Sequence, residues 1–226
     1  MLDKTSIIVV ACDFQSTQRR VTKACLGCIS KWTDREDYEL ILVDQKPCME
    51  IESRYHKIDI DKHLIVDDIG GAQAFNLGAK ESNPEYKYIC FLHNDVMVID
   101  NWLPMMLEPL SRGFTQTMPI QGMLTREEVK LLQQQEDPGG YDDAGMICMT
   151  KEEFAKTGGW DERFPNLHQD LAFRKRFKGS TKVVGKCLIT HISAITMFAD
   201  DKRRERCSTE EGEAEKKIRG TNNDGL

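Results

Sequence analysis

In Tyr86-Lys-Tyr-Ile-Cys-Phe-Leu-His-Asn-Asp-Val96 an apolar run of strand length stops at three polar residues. An aromatic and β-branched run this short, bounded by polar residues, reads as a buried strand. Upstream, Thr5-Ser-Ile-Ile-Val-Val-Ala-Cys12 and Tyr38-Glu-Leu-Ile-Leu-Val43 have the same character, and Lys62–Val66 is a weaker third strand. Between them the spacing turns helical. Val21, Cys25, Cys28 and Ile29 recur on one face, and Ala72–Glu81 places Ala74, Leu77 and Gly78 towards a core. Strand, helix, strand, helix predicts an α/β fold with a mostly parallel sheet. In such sheets ligands bind beyond the carboxyl ends of the strands. There the sequence collects Asp13, Asp44, Asp67-Asp68 and Asp95, a repetition that suggests a nucleotide or metal crevice.

Downstream, Trp102–Leu110 reads as a helix introduced by Asp100-Asn101 as caps. Ser111–Asp143, with Gly113, Gly122 and Pro138-Gly-Gly140, reads as an insertion of loops and a short helix at Thr125–Gln135. Ala144–Thr150 has strand character, and Lys151–Thr157 is a short helix stopped by Gly158-Gly159. Leu167–Phe177 is a further helix and Lys182–His191 the last strand. The expected organisation is one domain over 1–199, nucleotide-binding in about 1–100 and acceptor-facing in 101–199. A charged, flexible tail follows at 200–226, in which Lys202, Arg203 and Arg204 could close over a pyrophosphate.

The 226 residues carry 31 Lys+Arg against 37 Asp+Glu, a net charge of −6, which argues against a general nucleic-acid coat protein. No apolar run approaches the roughly 18 residues of a membrane span, and the N-terminus lacks a signal-peptide pattern. The expectation is a soluble, cytoplasmic protein without integral membrane association. Most of its eight cysteines are then expected as buried free thiols rather than a disulfide framework, with Cys25 and Cys28 as two thiols on a helix face.

Three clusters could carry chemistry. Asp95, beside Asn94 at a strand end, could hold a divalent cation against a diphosphate. Asp170, near a helix N-terminus where the dipole favours an ionised carboxylate, could serve as a general base. His191, closing a strand, could be a metal ligand through neutral imidazole. Read singly, each is more often a strand-end acid, a first-turn acid or a structural histidine.

Their order along the chain changes the weighing. Asn76-Leu-Gly-Ala, then Tyr88-Ile-Cys-Phe-Leu-His-Asn-Asp-Val, then Asn101-Trp-Leu, precede Gly158-Gly-Trp-Asp-Glu-Arg-Phe164 and Gln169-Asp-Leu-Ala-Phe-Arg174. From about Ser6 to about Thr196 the chain resembles the family-2 glycosyltransferases, inverting enzymes of the GT-A fold. The resemblance implies Asp95 as the metal-binding acid of a D-x-D-like triplet, His191 as the later metal ligand and Asp170 as catalytic base. It implies Asp44 as acceptor of a hydrogen bond from the nucleotide base, with Ala11 and Asp13 in the same pocket. Gly71, Gln73 and Asn76 would lie near base and ribose, and Asn94 near the ribose or the metal's water shell. Trp160, Asp161 and Glu162 would form the wall where donor sugar meets acceptor.

The implied cofactor is Mn²⁺ or Mg²⁺, with imidazole favouring Mn²⁺. The implied partners are a nucleoside-diphosphate sugar, UDP first with dTDP and GDP as alternatives, and an acceptor, a glycan first and a modified nucleic-acid base second. The sequence departs from the family pattern at His93, where Asp or Asn is usual, at Gln169 in place of Glu and at Trp160 in place of Phe. His93 could instead meet ribose or phosphate. A basic cluster at Arg174, Lys175, Arg176, Lys178, Lys182 and Lys186 reads as a solvated face or as a site for a phosphate-bearing acceptor. Two other readings stay open. A nucleotidyltransferase should show a Gly-rich basic loop after its first strand, where Asp13-Phe-Gln-Ser-Thr stands instead. A non-catalytic nucleotide-sugar binding module would be indifferent to loss of Asp170.

Overall fold

A computed structural model describes residues 3–12, 16–45, 55, 57–121, 145–166, 169–192 and 209. In chain order the elements are β1 (Thr5–Cys12), α1 (Ser16–Trp32), a 3-10 turn (Arg35–Asp37), β2 (Tyr38–Gln45), β3 (Lys62–Val66), α2 (Gly71–Glu81), β4 (Tyr88–His93) and β5 (Val96–Met97). Then follow α3 (Trp102–Ser111), β6 (Gln116–Gln121), β7 (Met146–Thr150), α4 (Lys151–Thr157), α5 (Gln169–Arg176) and β8 (Thr181–His191).

The strands form one sheet in the order β3-β2-β1-β4-β7-β6-β8-β5. Pairings β1–β2, β1–β4, β2–β3 and β6–β8 are parallel, while β4–β7, β6–β7 and β5–β8 are antiparallel. The fold is therefore mixed α/β with a mostly parallel sheet.

Both faces of the central strands are buried, which is why they read as continuous apolar runs. Alternation still sorts them. Ile7, Val9, Leu40 and Leu42 join Cys25, Leu26 and Ile29 of α1 and Trp102, Leu103 and Met106 of α3 in one core. Ile8, Ile41 and Val43 join Ala74 and Phe75 of α2, Phe173 of α5 and Trp160 of the loop before it in the other. The glycine at 78 lets α2 lie close on the sheet: a Cβ there would stand 2.5 Å from Ile8 Cγ2.

Three expectations are corrected, and one short strand goes unanticipated. The segment expected as loops after α3 carries β6, whose polar residues obscure it: Gln116 and Thr117 are buried. The two-residue β5 was too short to read. Asn101 does not cap α3 through its side chain; it adopts φ 58°, and the helix is anchored by Trp102 Nε1 donating to Thr33 Oγ1 at 2.8 Å. Cys90 and Cys148 are directly opposed in the β4–β7 register and form a disulfide. Among the described residues Cys25, Cys28 and Cys187 are free thiols. Cys25 is buried in the core and Cys28 packs on Met97, and burial pushes both thiols up.

Lys151–Thr157 and its Gly158-Gly159 stop stand as read, with Thr150 Oγ1 capping Glu153 N and Gly158 at φ 79°. The expected helix at Thr125–Gln135, Asp13 and, Thr209 apart, the tail from Asp200 lie outside the described residues. No described helix is long and apolar enough to cross a membrane.

Candidate nucleotide and metal site

The triplet after β4 is built by main-chain pairing. His93 N donates to Gly145 O at 2.9 Å, and Val96 pairs with His191 in the β5–β8 ladder. Ile192 N closes the corner on Asp95 O at 3.1 Å. The ends of β4 and β8 thus converge, and His191 Nε2 lies 3.1 Å from Asp95 Oδ1 with both side chains under 10% exposed. His93 stacks its ring on Phe75, 5.8 Å between centroids at 18°, and lies 5.5 Å from the His191 ring. One donor atom from each of His93, Asp95 and His191 falls within 4.8 Å of the others. Two imidazoles and a carboxylate at that separation fit a divalent cation. Gly145 is required there because a Cβ would stand 2.8 Å from His191 Nδ1. Asn94 turns the other way: its Nδ2 donates to buried Thr22 Oγ1 at 2.7 Å and ties the triplet to α1.

Beside this corner lie the ends of β1 and β2, where Ala11 and Asp44 are register partners and both fully buried. Asp44 Oδ2 lies 3.1 Å from His63 Nε2 on β3, and the His63 ring meets Tyr55 edge-on. Gly71 opens α2, and a Cβ on it would stand 2.8 Å from Gln169 Oε1. Ala72 N donates to Pro165 O at 3.1 Å. The N-termini of α2 and α5 therefore meet, with Gln73 exposed in the first turn of one and Asp170 half-buried in the first turn of the other.

The loop 158–164 is fixed from α2. Asn76 Oδ1 accepts from Trp160 N at 2.8 Å, and its Nδ2 donates to Trp160 O and to Glu162 Oε1, both at 2.9 Å. Trp160 is buried, stacked between Phe75 and Phe173 at 5.2 and 4.7 Å. Asp161 receives Arg163 through Nε at 2.9 Å and Nη2 at 2.7 Å. These bonds hold its carboxyl below the usual carboxylate range against the opposing effect of burial. Arg176 adds a bond to Gly159 O at 2.6 Å and an ion-pair contact to Asp161 at 3.9 Å. Glu162 remains exposed.

The basic cluster divides. Arg176 braces this loop, whereas Lys182 and Lys186 line a cavity of 530 Å³ with Pro104, Met105 and Pro109 of α3. His63, Gly145 and Arg163 escaped the sequence reading. Only Arg163 carried a signal, by standing inside the Gly-Gly-Trp-Asp-Glu-Arg-Phe stretch.

None of the curated proteins matches the sequence. Among solved structures the chain is similar to GalNAc-T7, crystallised with UDP, GalNAc and Mn²⁺, at 16% identity and TM-score 0.64, covering 84% of this chain and 44% of that one. It is also similar to residues 1–349 of TarS from S. aureus, at 12% identity and TM-score 0.63, covering 92% and 65%. The chain spans less than two thirds of either, and at these identities the likeness establishes the fold. The model of the family described as "Glycosyl transferase family 2" matches residues 6–185, most of the chain, which therefore belongs to that family.

Proposed function

We propose that the chain moves a sugar from a nucleoside-diphosphate sugar, UDP first, to an acceptor hydroxyl with inversion at the anomeric carbon. The observation that carries this is the meeting of Asp95 and His191 at the carboxyl edge of a sheet belonging to this family. GalNAc-T7, which shares the fold, was crystallised with UDP and Mn²⁺. dTDP and GDP donors are the alternatives; the acceptor is a glycan first and a modified nucleic-acid base second.

In this reading Asp170, on the first turn of α5, takes the proton from the acceptor hydroxyl as its oxygen attacks the sugar. Asp95 and His191 would hold Mn²⁺ or Mg²⁺, which would supply positive charge to a diphosphate leaving group. Ala11, Asp13 and Asp44 form the base pocket, with Asp44 oriented by His63. Gly71 and Gln73, at the open end of α2, face the ribose. Asn76 and Asn94 act through what they hold: Asn76 sets the Trp160–Glu162 wall, and Asn94 fixes the triplet on α1. Asp161 stiffens that wall through Arg163.

UDP release from a panel of UDP-sugars tests the reading. The expected result is turnover that falls by about 10²–10⁴-fold in Asp170→Asn while UDP affinity is kept. Equal turnover in Asp170→Asn would remove the base assignment, and UDP binding without turnover on any donor or acceptor would favour a binding module.

A further inference from the structure

We propose that His93 is the third protein ligand of the cation site, making it a two-histidine, one-carboxylate set that selects ions of the Mn²⁺, Fe²⁺, Co²⁺ and Zn²⁺ kind and discriminates against Mg²⁺. The inference rests on the functional reading above for the presence of a cation and goes beyond it in naming the ligand and the selectivity.

Geometry comes first. The imidazole of His93 presents a nitrogen in the same 4.8 Å cluster as the Asp95 carboxylate and the His191 imidazole. His93 is also held. Its N–H is bound by Gly145 O, its carbonyl accepts from Cys25 Sγ at 3.7 Å, and its ring lies on Phe75. A ring fixed by its neighbours loses little freedom on ligation, so ordering costs little of the binding. The His191 side chain is itself buried, and its ring leaves no room for a Cβ at Gly145. Asp95, between them, is buried, and a buried carboxylate is favoured by a cation that both imidazoles also reach.

Chemistry then decides which ion. Mg²⁺ demands near-octahedral oxygen shells and dehydrates reluctantly, while imidazole suits the later divalent metals. A triplet carrying an acid at its first position would offer oxygen there; this one offers nitrogen. Three ligands supplied by the protein leave the remaining positions for diphosphate oxygens or water. His93 instead making a hydrogen bond to phosphate or ribose is the competing arrangement, and it would leave one nitrogen on the metal.

The test uses the full chain in excess over Mn²⁺, with UDP present, and counts directly bound nitrogens by pulsed electron paramagnetic resonance. Two imidazole nitrogens are expected in the wild type and one in His93→Asp. Calorimetric titration with MnCl₂ and MgCl₂ is expected to show the Mn²⁺:Mg²⁺ affinity ratio falling by about ten-fold or more in His93→Asp. One nitrogen in the wild type, or an unchanged ratio in a folded His93→Asp, would overturn the proposal while leaving Mn²⁺-dependent transfer standing. If His93→Asp fails to fold, the wild-type nitrogen count decides alone. No protein-bound Mn²⁺ in the wild type would overturn both this inference and the metal-dependent reading.

Discussion

At Asn76 one side chain satisfies both the N–H and the C=O of Trp160. Removing it leaves two main-chain groups of a half-buried loop without that partner, and each such loss costs about 1–3 kcal/mol. Asn76→Ala is therefore expected to lower the unfolding free energy by at least about 1 kcal/mol, read as a shift of the urea midpoint; an unchanged midpoint would contradict the clamp. Asp161 is a second case. Its folded pKa is depressed below 3.8, chiefly by Arg163, so its contribution is present above that value and lost as pH falls through the folded pKa. Because Arg163 is 73% exposed, the pair is screened and worth less than about 1 kcal/mol. The stability advantage of the wild type over Asp161→Asn should shrink towards zero in denaturation curves taken progressively below pH 3.8. Motif residues such as Asn76, Asp95 and Asp161 were legible because their types and order are unusual together. Their partners were not. That Asn76 finds Trp160, or that Gly145 leaves room for the His191 ring, is a long-range relation with no local periodicity to announce it.

Among the elements, β1, β2, β3 and α4 follow their sequence patterns closely, since a continuous apolar run or a strong glycine stop fixes each one. β6 does not. In Gln116-Thr-Met-Pro-Ile-Gln121 the buried polar groups take partners that only the fold supplies: Gln116 Oε1 accepts from Thr181 Oγ1 at 2.9 Å, and Thr117 Oγ1 donates to Met106 O at 2.9 Å. A proline is tolerated beside the register shift between Pro119 and Ile120. The seating of α2 on the sheet gives a sharper test. Alanine at an interior helical glycine normally stabilises by up to about 1 kcal/mol. At Gly78, however, the new methyl meets Ile8 Cγ2 at 2.5 Å on a central strand, and overpacking of this kind costs about 1–3 kcal/mol. Gly78→Ala should lower the melting temperature, whereas Gly27→Ala, with nothing within 4 Å of the added Cβ, should raise it. Equal effects at the two positions would show that α2 does not lie against β1 as described.

For the molecule as a whole, the sheet brings the two halves of the sequence together: β4 pairs β1 on one side and β7 on the other, and its end carries the triplet. The alternation of strands and helices made the α/β class legible, and the motif order pointed to the family, but neither shows the antiparallel insertion of β7 between β4 and β6. The same insertion creates the Cys90–Cys148 cross-link, which compartment reasoning argued against because it weighs typical usage rather than register. With eight cysteines in the chain and the Cys90–Cys148 disulfide among the described residues, protein purified without reductant and denatured should titrate at most 8 − 2 = 6 thiols, and eight after reduction. Eight in both conditions would remove the bridge. In the proposed function the carboxyl edge of this sheet binds a nucleoside diphosphate through a cation on Asp95 and His191. Thermal unfolding with UDP, with and without Mn²⁺, tests it most directly, because a ligand bound only to the native state raises the melting temperature by mass action. The expected result is a UDP-dependent rise that requires Mn²⁺ and disappears in Asp95→Ala. A rise of equal size without the metal, or one that survives Asp95→Ala, would contradict it.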